Sequence, residues 1–218
     1  MRAPSTRAWA DLLDAFRTLA GRVSAELEER GSRFLAVAEP VADRTAAEAF
    51  IAAQGRAHRN PTNVVPAFRL RDGTAFSSDA GEPAGSAGAP LLAAITGAGL
   101  HDVAAVVVRW YGGTNLGVGG LVRAYGGALA RALDGAAIVR CERAADVRLR
   151  YGHELTAAVM RCVSLHAGRD LEHAYGEQGA ELRFRVPLTR ADSLERCLRD
   201  ATRGAVVLER LGEAVIRS

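Results

Sequence analysis

The chain has 218 residues, about half of them apolar, enough to bury one large core or two smaller ones and too apolar for a disordered chain. The formal charge is only +3, every one of the 28 basic residues is arginine, and the small excess does not by itself point to nucleic acid. No apolar run reaches the roughly 18 residues of a membrane helix, the N-terminus lacks the pattern of a secretory signal, and three widely spaced cysteines argue for a reduced, cytoplasmic setting without disulfides or a Cys-rich zinc site.

Residues 8–16 read as a short helix. "RVSAELEE" alternates, placing Val23, Ala25 and Leu27 on one face of a half-buried strand, and "SRFLAVAEPV" is its hairpin partner across Gly31. "TAAEAFIAAQ" opens with Thr45 and Glu48 at capping-box spacing and puts Ala47, Phe50, Ile51 and Gln54 on one helical face. "TNVVPAFRL" is a strand that Pro66 assigns to an edge or a bulge. Small residues and turn formers fill 77–90, "SSDAGEPAGSAGAP", an ordered-loop pattern. A short helix, "LLAAITGAGL", precedes the buried strand "DVAAVVVRWY" and the helix "GGLVRAYGGALARAL". Beyond a boundary at 135–145 the pattern changes to βαββαβ, the ferredoxin-like order. Its second helix carries Leu194, Cys197, Leu198 and Ala201 at i, i+3, i+4 and i+7.

Two stretches carry candidate chemistry. In "RWYGGTNLGVGGLVRAYGG" a strand runs through glycines into a helix start, the layout in which backbone amides and the helix dipole converge on an anion. The known nucleotide loops do not fit. Val118 follows Gly117 where a Walker loop needs lysine, and Val122 takes the third glycine place of the dinucleotide fingerprint. In "SDAGEPAGSAG", Asp79 and Glu82 are either a carboxylate pair for acid–base work or a turn former and a helix cap. His58, His101, His153, His166 and His173 are scattered. "HELTA" has Ala157 where a second zinc ligand belongs, and Ser86 in "AGSAG" lacks the strand of a nucleophile elbow, so no metal, cofactor or catalytic set is expected. Cys162 and Cys197 fall on apolar helix faces and read as core.

"FSSDAGEPAGSAGAPLL", "VAAVVVRWYGGTNLGVGGLVRAYGGALARAL" and "GSRFLA" together resemble the YigZ/IMPACT family over roughly residues 17–135, and the tail resembles the C-terminal domain of its bacterial members. The resemblance implies an α+β protein. A 17–138 domain would be built like the second domain of a small-subunit ribosomal protein and domain IV of elongation factor G. It would be followed by a ferredoxin-like 145–218 domain, like domain V of that factor, with 1–16 as an extension. It also implies no established enzymatic activity. The eukaryotic namesake acts in translational control by binding a regulator of a stress kinase, and its distinct N-terminal domain is absent here. The chain departs from the family in "PTNVVPAF", where Asn63 and Val64 replace a His-Asn pair, and at Ala80, where a second acid is usual.

The expected function is binding of RNA, the ribosome or a translation-associated protein. One surface would combine Arg109, Tyr111, Gly112, Gly113, Gly117, Gly119, Gly120 and Arg123 with Asp79, Gly81 and Glu82 of the acidic loop. Alternation in "DVRLRY" and "AELRFRV" places Arg148, Arg150, Arg183 and Arg185 together on a second face, which Glu181 offsets only in part, either as a site for an anionic partner or as four separately solvated arginines. The rival expectation is a hydrolase or nucleotide-dependent enzyme using Asp79, Glu82 and the glycine loop.

Overall fold

The run at 103–108 shows no alternation because its strand is covered on both faces. In the computed structural model, which describes residues 14–177 and 179–217, β6 (Val103–Trp110) is the middle strand of an antiparallel sheet. Around it lie β2 (Val23–Glu29), β3 (Ser32–Pro40), β4 (Asn63–Arg69) and β5 (Ala75–Ser77), in the order β2-β3-β6-β4-β5. Val103, Ala105 and Val107 face one core, and Ala104, Val106 and Val108 face the other. Helices α2 (Gly88–Gly97) and α3 (Gly117–Asp134) cover the first, and α1 (Arg44–Ala57) covers the second. Each fully buried valine is worth roughly 1.5–3 kcal/mol of removal from water, so a charge at Val107 would cost more than the fold can spare.

Local signals were overridden at three places in this half of the chain. Of the helix expected at 8–16, residues 8–13 lie outside the described residues, and Ala15 and Phe16 open a strand, β1 (Ala15–Leu19). Tertiary contacts decide this: Phe16 and Leu19 are buried, His101 N–H donates to the Arg17 carbonyl at 2.8 Å, and Thr18 Oγ1 donates to the Asp102 carbonyl. The expected Thr45–Glu48 capping box does not form. Asp43 is the N-cap and accepts from Ala46 N–H at 2.8 Å, while Glu48 pairs with Arg44. Pro66 sits in an inner strand. Its carbonyl accepts from Ser78 N–H where the β4–β5 ladder ends, so only the last return bond is lost to the missing N–H.

The backbone divides into two compact units at Arg140/Cys141. β7 (Ile138–Tyr151) crosses this division, and with α4 (Thr156–Leu165), β8 (Arg169–Gly176), β9 (Gly179–Pro187), α5 (Leu188–Thr202) and β10 (Leu208–Arg217) it gives the antiparallel order β10-β7-β9-β8, the ferredoxin-like arrangement, in a sheet whose fifth strand is β1. Val147, Leu149, Leu182, Phe184 and Val186 point at the two helices, as the alternation requires. On α5, Leu194 and Leu198 are buried, but Ala201 is exposed and Thr202 takes the next core position. The cysteine expectation is corrected: Cys162 of α4 and Cys197 of α5 are joined as a disulfide, because the apolar faces that carry them pack on each other with Cα atoms 5.9 Å apart. Cys141 is buried and outside any disulfide. Among the described residues no helix is long and apolar enough to cross a membrane.

Candidate functional site

The glycine loop leaves the end of β6 where the backbone must pass hard against the β2–β3 turn. Gly112 N–H donates to Ser32 Oγ at 3.2 Å, and a Cβ at Gly112 would overlap the carbonyl group of Gly31. Gly113 then turns with φ +89, which side-chain-bearing residues rarely adopt. Gly117 opens α3, Gly119 lies under the guanidinium of Arg123, and Gly120 sits against Leu116.

The acidic loop is built around Asp79. Its Oδ2 accepts from Gly85 N–H at 2.8 Å, and its Oδ1 accepts from Ala87 and Gly88 N–H at 3.0 and 2.8 Å, at the start of α2. These bonds, that from Gly85 first, hold the Asp79 carboxyl below the ordinary carboxylate range. Ala80 takes φ +48 and Gly81 φ +91, and Asn63 Nδ2 clasps the turn by donating to the Ala80 carbonyl at 2.9 Å. Ala80 shows only its backbone to Asn63, so the contact survives without the usual second acid.

Glu82 points inward and joins the two loops. Its Oε1 accepts from Arg109 Nη1 at 2.6 Å and from the Tyr125 hydroxyl at 2.7 Å. The Arg109 and Glu82 side chains are 7% and 6% exposed. The Tyr125 ring is fully buried and meets Phe34 edge-on, with centroids 5.1 Å apart. Burial, and then the bond to Glu82, push its phenol far above the ordinary tyrosine range, so it stays a donor. Asp79 and Glu82 are thus both committed within the protein, and Arg109 belongs to the interior instead of to an outward-facing surface.

What remains accessible is a different set. Tyr111 is 46% exposed and its backbone N–H donates to Thr62 Oγ1 at 2.9 Å. Val118 and Arg123 are exposed on the first turns of α3. On the α1 side of the same sheet end, the Arg33 guanidinium lies 4.0 Å from the Trp110 ring centroid, and Trp110 Nε1 donates to the Arg59 carbonyl. Arg56, Arg59 and Arg123 are exposed and make no ion pair among the described residues. Arg33, Arg56, Arg59, Thr62, Trp110 and Tyr125 were not legible as site residues. Only the β4–β6 register, Asn63 opposite Arg109, brings the end of α1 beside the glycine loop.

The arginines of the second unit share a face as the alternation implies, but the reading of that face as largely uncompensated is corrected. Arg183 binds both oxygens of Asp146 (3.1 and 2.6 Å), Arg150 binds Glu181 at 2.7 Å, Arg148 binds Glu209 at 3.1 Å, and Arg185 binds Asp170 at 2.9 Å. The missing acids come from β8, β10 and the start of the alternating stretch in β7, which only the strand order brings alongside. Arg183 holds the Asp146 carboxyl, and Arg150 the Glu181 carboxyl, below the ordinary range. Among the described residues no group of His, Cys, Asp and Glu is arranged to hold a metal.

The molecule is therefore a two-unit α+β protein whose most distinctive feature is a glycine loop locked to an acidic loop by a buried ion pair. The sequence profile described as the Impact N-terminal domain matches residues 30–133. The chain is 40% identical over 182 residues to the "IMPACT family member in pol 5'region" of Thermus thermophilus, covering 82% of this chain and 97% of that protein. It is 35% identical over 131 residues to the IMPACT family member YigZ of Escherichia coli, covering 60% of this chain and 64% of that one. A crystal structure titled only as that of a hypothetical protein superposes with a TM-score of 0.67 at 29% identity, over 92% of this chain and 98% of its own. The chain belongs to the IMPACT family.

Proposed function

We propose that the glycine-loop end of the N-terminal unit binds RNA, as a contact surface of a protein that works with the translation apparatus. The observation that carries this reading is the division of labour among charges at that end. Asp79 and Glu82 are consumed by internal partners, while Arg56 and Arg59 at the end of α1 and Arg123 on the first turns of α3 are exposed and make no ion pair among the described residues, and the Tyr111 ring is 46% exposed. Guanidinium groups with an exposed aromatic suit a single-stranded phosphodiester backbone, read by charge and stacking. The link of the IMPACT family to translational control supports the same direction. An acid–base enzyme would need a carboxylate free to exchange protons with substrate, and neither loop carboxylate is free.

The test is fluorescence anisotropy with a short single-stranded RNA at two salt concentrations. Arg59→Gln with Arg123→Gln should weaken binding about tenfold. It should also make the log–log salt dependence shallower, by roughly 0.7 in slope for each phosphate that the protein no longer neutralises. The double variant should keep the parent's thermal unfolding. RNA affinity unchanged in this variant would reject the surface.

A further inference from the structure

We propose that the outer edge of β8 in the C-terminal unit pairs with the same edge of a second copy of this chain, joining the two sheets antiparallel. β8 pairs with β9 alone among the described residues, and all eight of its residues are exposed. In an antiparallel pair every second residue of such a strand turns its N–H and C=O outward, a template for one more strand. Proteins blunt such edges, and three other edges of this molecule are blunted. β2 carries Glu26, Glu28 and Glu29, β5 is three residues long, and β10 has a bulge at Arg210/Gly212 and holds Glu209, Arg210 and Glu213 in ion pairs. On β8 the bulge between Arg169 and Glu172 guards only the first half. Across 171–176 the single carboxylate is Glu172, no arginine is present, and Leu171 and Tyr175 are 38% and 67% exposed.

The ladder fixes the faces. His173 lies opposite Leu182 and Tyr175 opposite Ala180, so both, with Leu171 by alternation, are on the face that Leu182 and Phe184 turn to the helices. Glu172 and Ala174 lie opposite Arg183 and Glu181, on the other face. The His173 and Tyr175 rings are stacked, 5.8 Å between centroids and 7° between planes, with the hydroxyl 3.3 Å from Nδ1, so this edge is ordered before it meets a partner. Two identical strands paired antiparallel are related by a two-fold axis through one residue, because opposite residues must share a face. An axis through Glu172 would set two carboxylates opposite each other, which destabilises a sheet. One through Ala174 would leave Leu171 opposite Glu177. The axis through His173 seats each Leu171 against the second copy's Tyr175, sets Glu172 against Ala174, and opposes no carboxylates. A contact confined to 171–176 falls below about 1,200 Å² and belongs to the weak, concentration-dependent class.

Sedimentation equilibrium of the full chain over a concentration series tests the pairing. The parent should move from monomer to dimer mass as its concentration rises. The variant carrying Leu171→Lys and Tyr175→Lys should need at least tenfold more protein to dimerise while unfolding at the same temperature. Ser24→Lys, on the β2 edge, should leave the dimer unchanged. His173→Cys reads the register. Directly opposite residues have Cα atoms about 4.5–5.5 Å apart, within disulfide reach, so mild oxidation should give a covalent dimer, which Ala174→Cys should not. RNA affinity should be the same for the parent and the lysine variant, so that failure here and failure of the RNA surface are read apart. A parent that stays monomeric throughout overturns the proposal and leaves the edge to an extended segment of another protein. A dimer that survives the two lysines, or one that crosslinks through Ala174→Cys and not through His173→Cys, overturns it in favour of another face or register.

Discussion

Arg109 and Glu82, twenty-seven residues apart, meet at 2.6 Å as an ion pair almost sealed from solvent. The pair fixes the acidic loop on the end of β6 and determines which charges the N-terminal unit can offer outward. Removing one member leaves the other buried without its partner, which typically costs about 3–5 kcal/mol. Arg109→Met and Glu82→Leu should each lower stability by that order in urea unfolding. The double substitution should recover most of it, because two apolar groups leave no stranded charge. Additive losses in the double variant would contradict a coupled pair.

Gly112 answers a different need. Its backbone touches that of Gly31, and a side chain would have to occupy the space of a carbonyl group, with no flexible neighbour to move aside. Gly112→Ala should destabilise by about 3 kcal/mol or more. Gly21, around which a Cβ meets nothing within 4 Å, is the control, and its alanine variant should stay within about 0.5 kcal/mol of the parent. A tolerated alanine at 112 would mean that the loop can withdraw from the β2–β3 turn.

Much of this fold was legible because period and punctuation agree with tertiary demand. The alternation of Val23, Ala25 and Leu27, and that of Leu182, Phe184 and Val186, name core faces that the structure uses. The site was less legible, and the reason is register. Arg109 ends an apolar strand beside glycines, which reads as a residue offered to a ligand, but its place opposite Phe34 and near Glu82 turns it inward. The acids that neutralise Arg148, Arg183 and Arg185 lie on other strands, and alternation within one strand carries no information about them. Residues 15 and 16 failed in the opposite sense, since a short helical pattern yielded to burial of Phe16 and Leu19.

Asp79 makes stability depend on acid. Its carboxyl in the folded protein titrates below the ordinary value of 3.8, so the unfolded chain takes up the proton first as pH falls. The contribution is complete above about pH 3.8 and is lost as pH drops through the lower folded-state value. Asp79→Asn keeps one acceptor but not the charge that the amides of Gly85, Ala87 and Gly88 converge on. The variant should be less stable at pH 7 and should lose less stability between pH 5 and pH 3 than the parent. Parallel pH–stability curves for the two proteins would show that this carboxylate does not set the acid limb.

The Cys162–Cys197 disulfide closes a loop of 35 residues between α4 and α5. Loop-closure entropy for a ring of that size gives ~4 kcal/mol against the unfolded chain. The bond lies wholly within the C-terminal unit, so its loss should lower the unfolding transition of that unit and leave the buried Arg109–Glu82 network untouched. Thiol titration of the unfolded, unreduced protein should find one sulfhydryl, that of Cys141, and three after reduction. Cys197→Ser should unfold earlier than the oxidised parent and match the reduced parent, because the half-buried serine replaces a thiol at little packing cost. A reduced parent as stable as the oxidised one would place the stability of this helix pair in its apolar contacts, Val159, Val163, Leu194 and Leu198, and not in the bond.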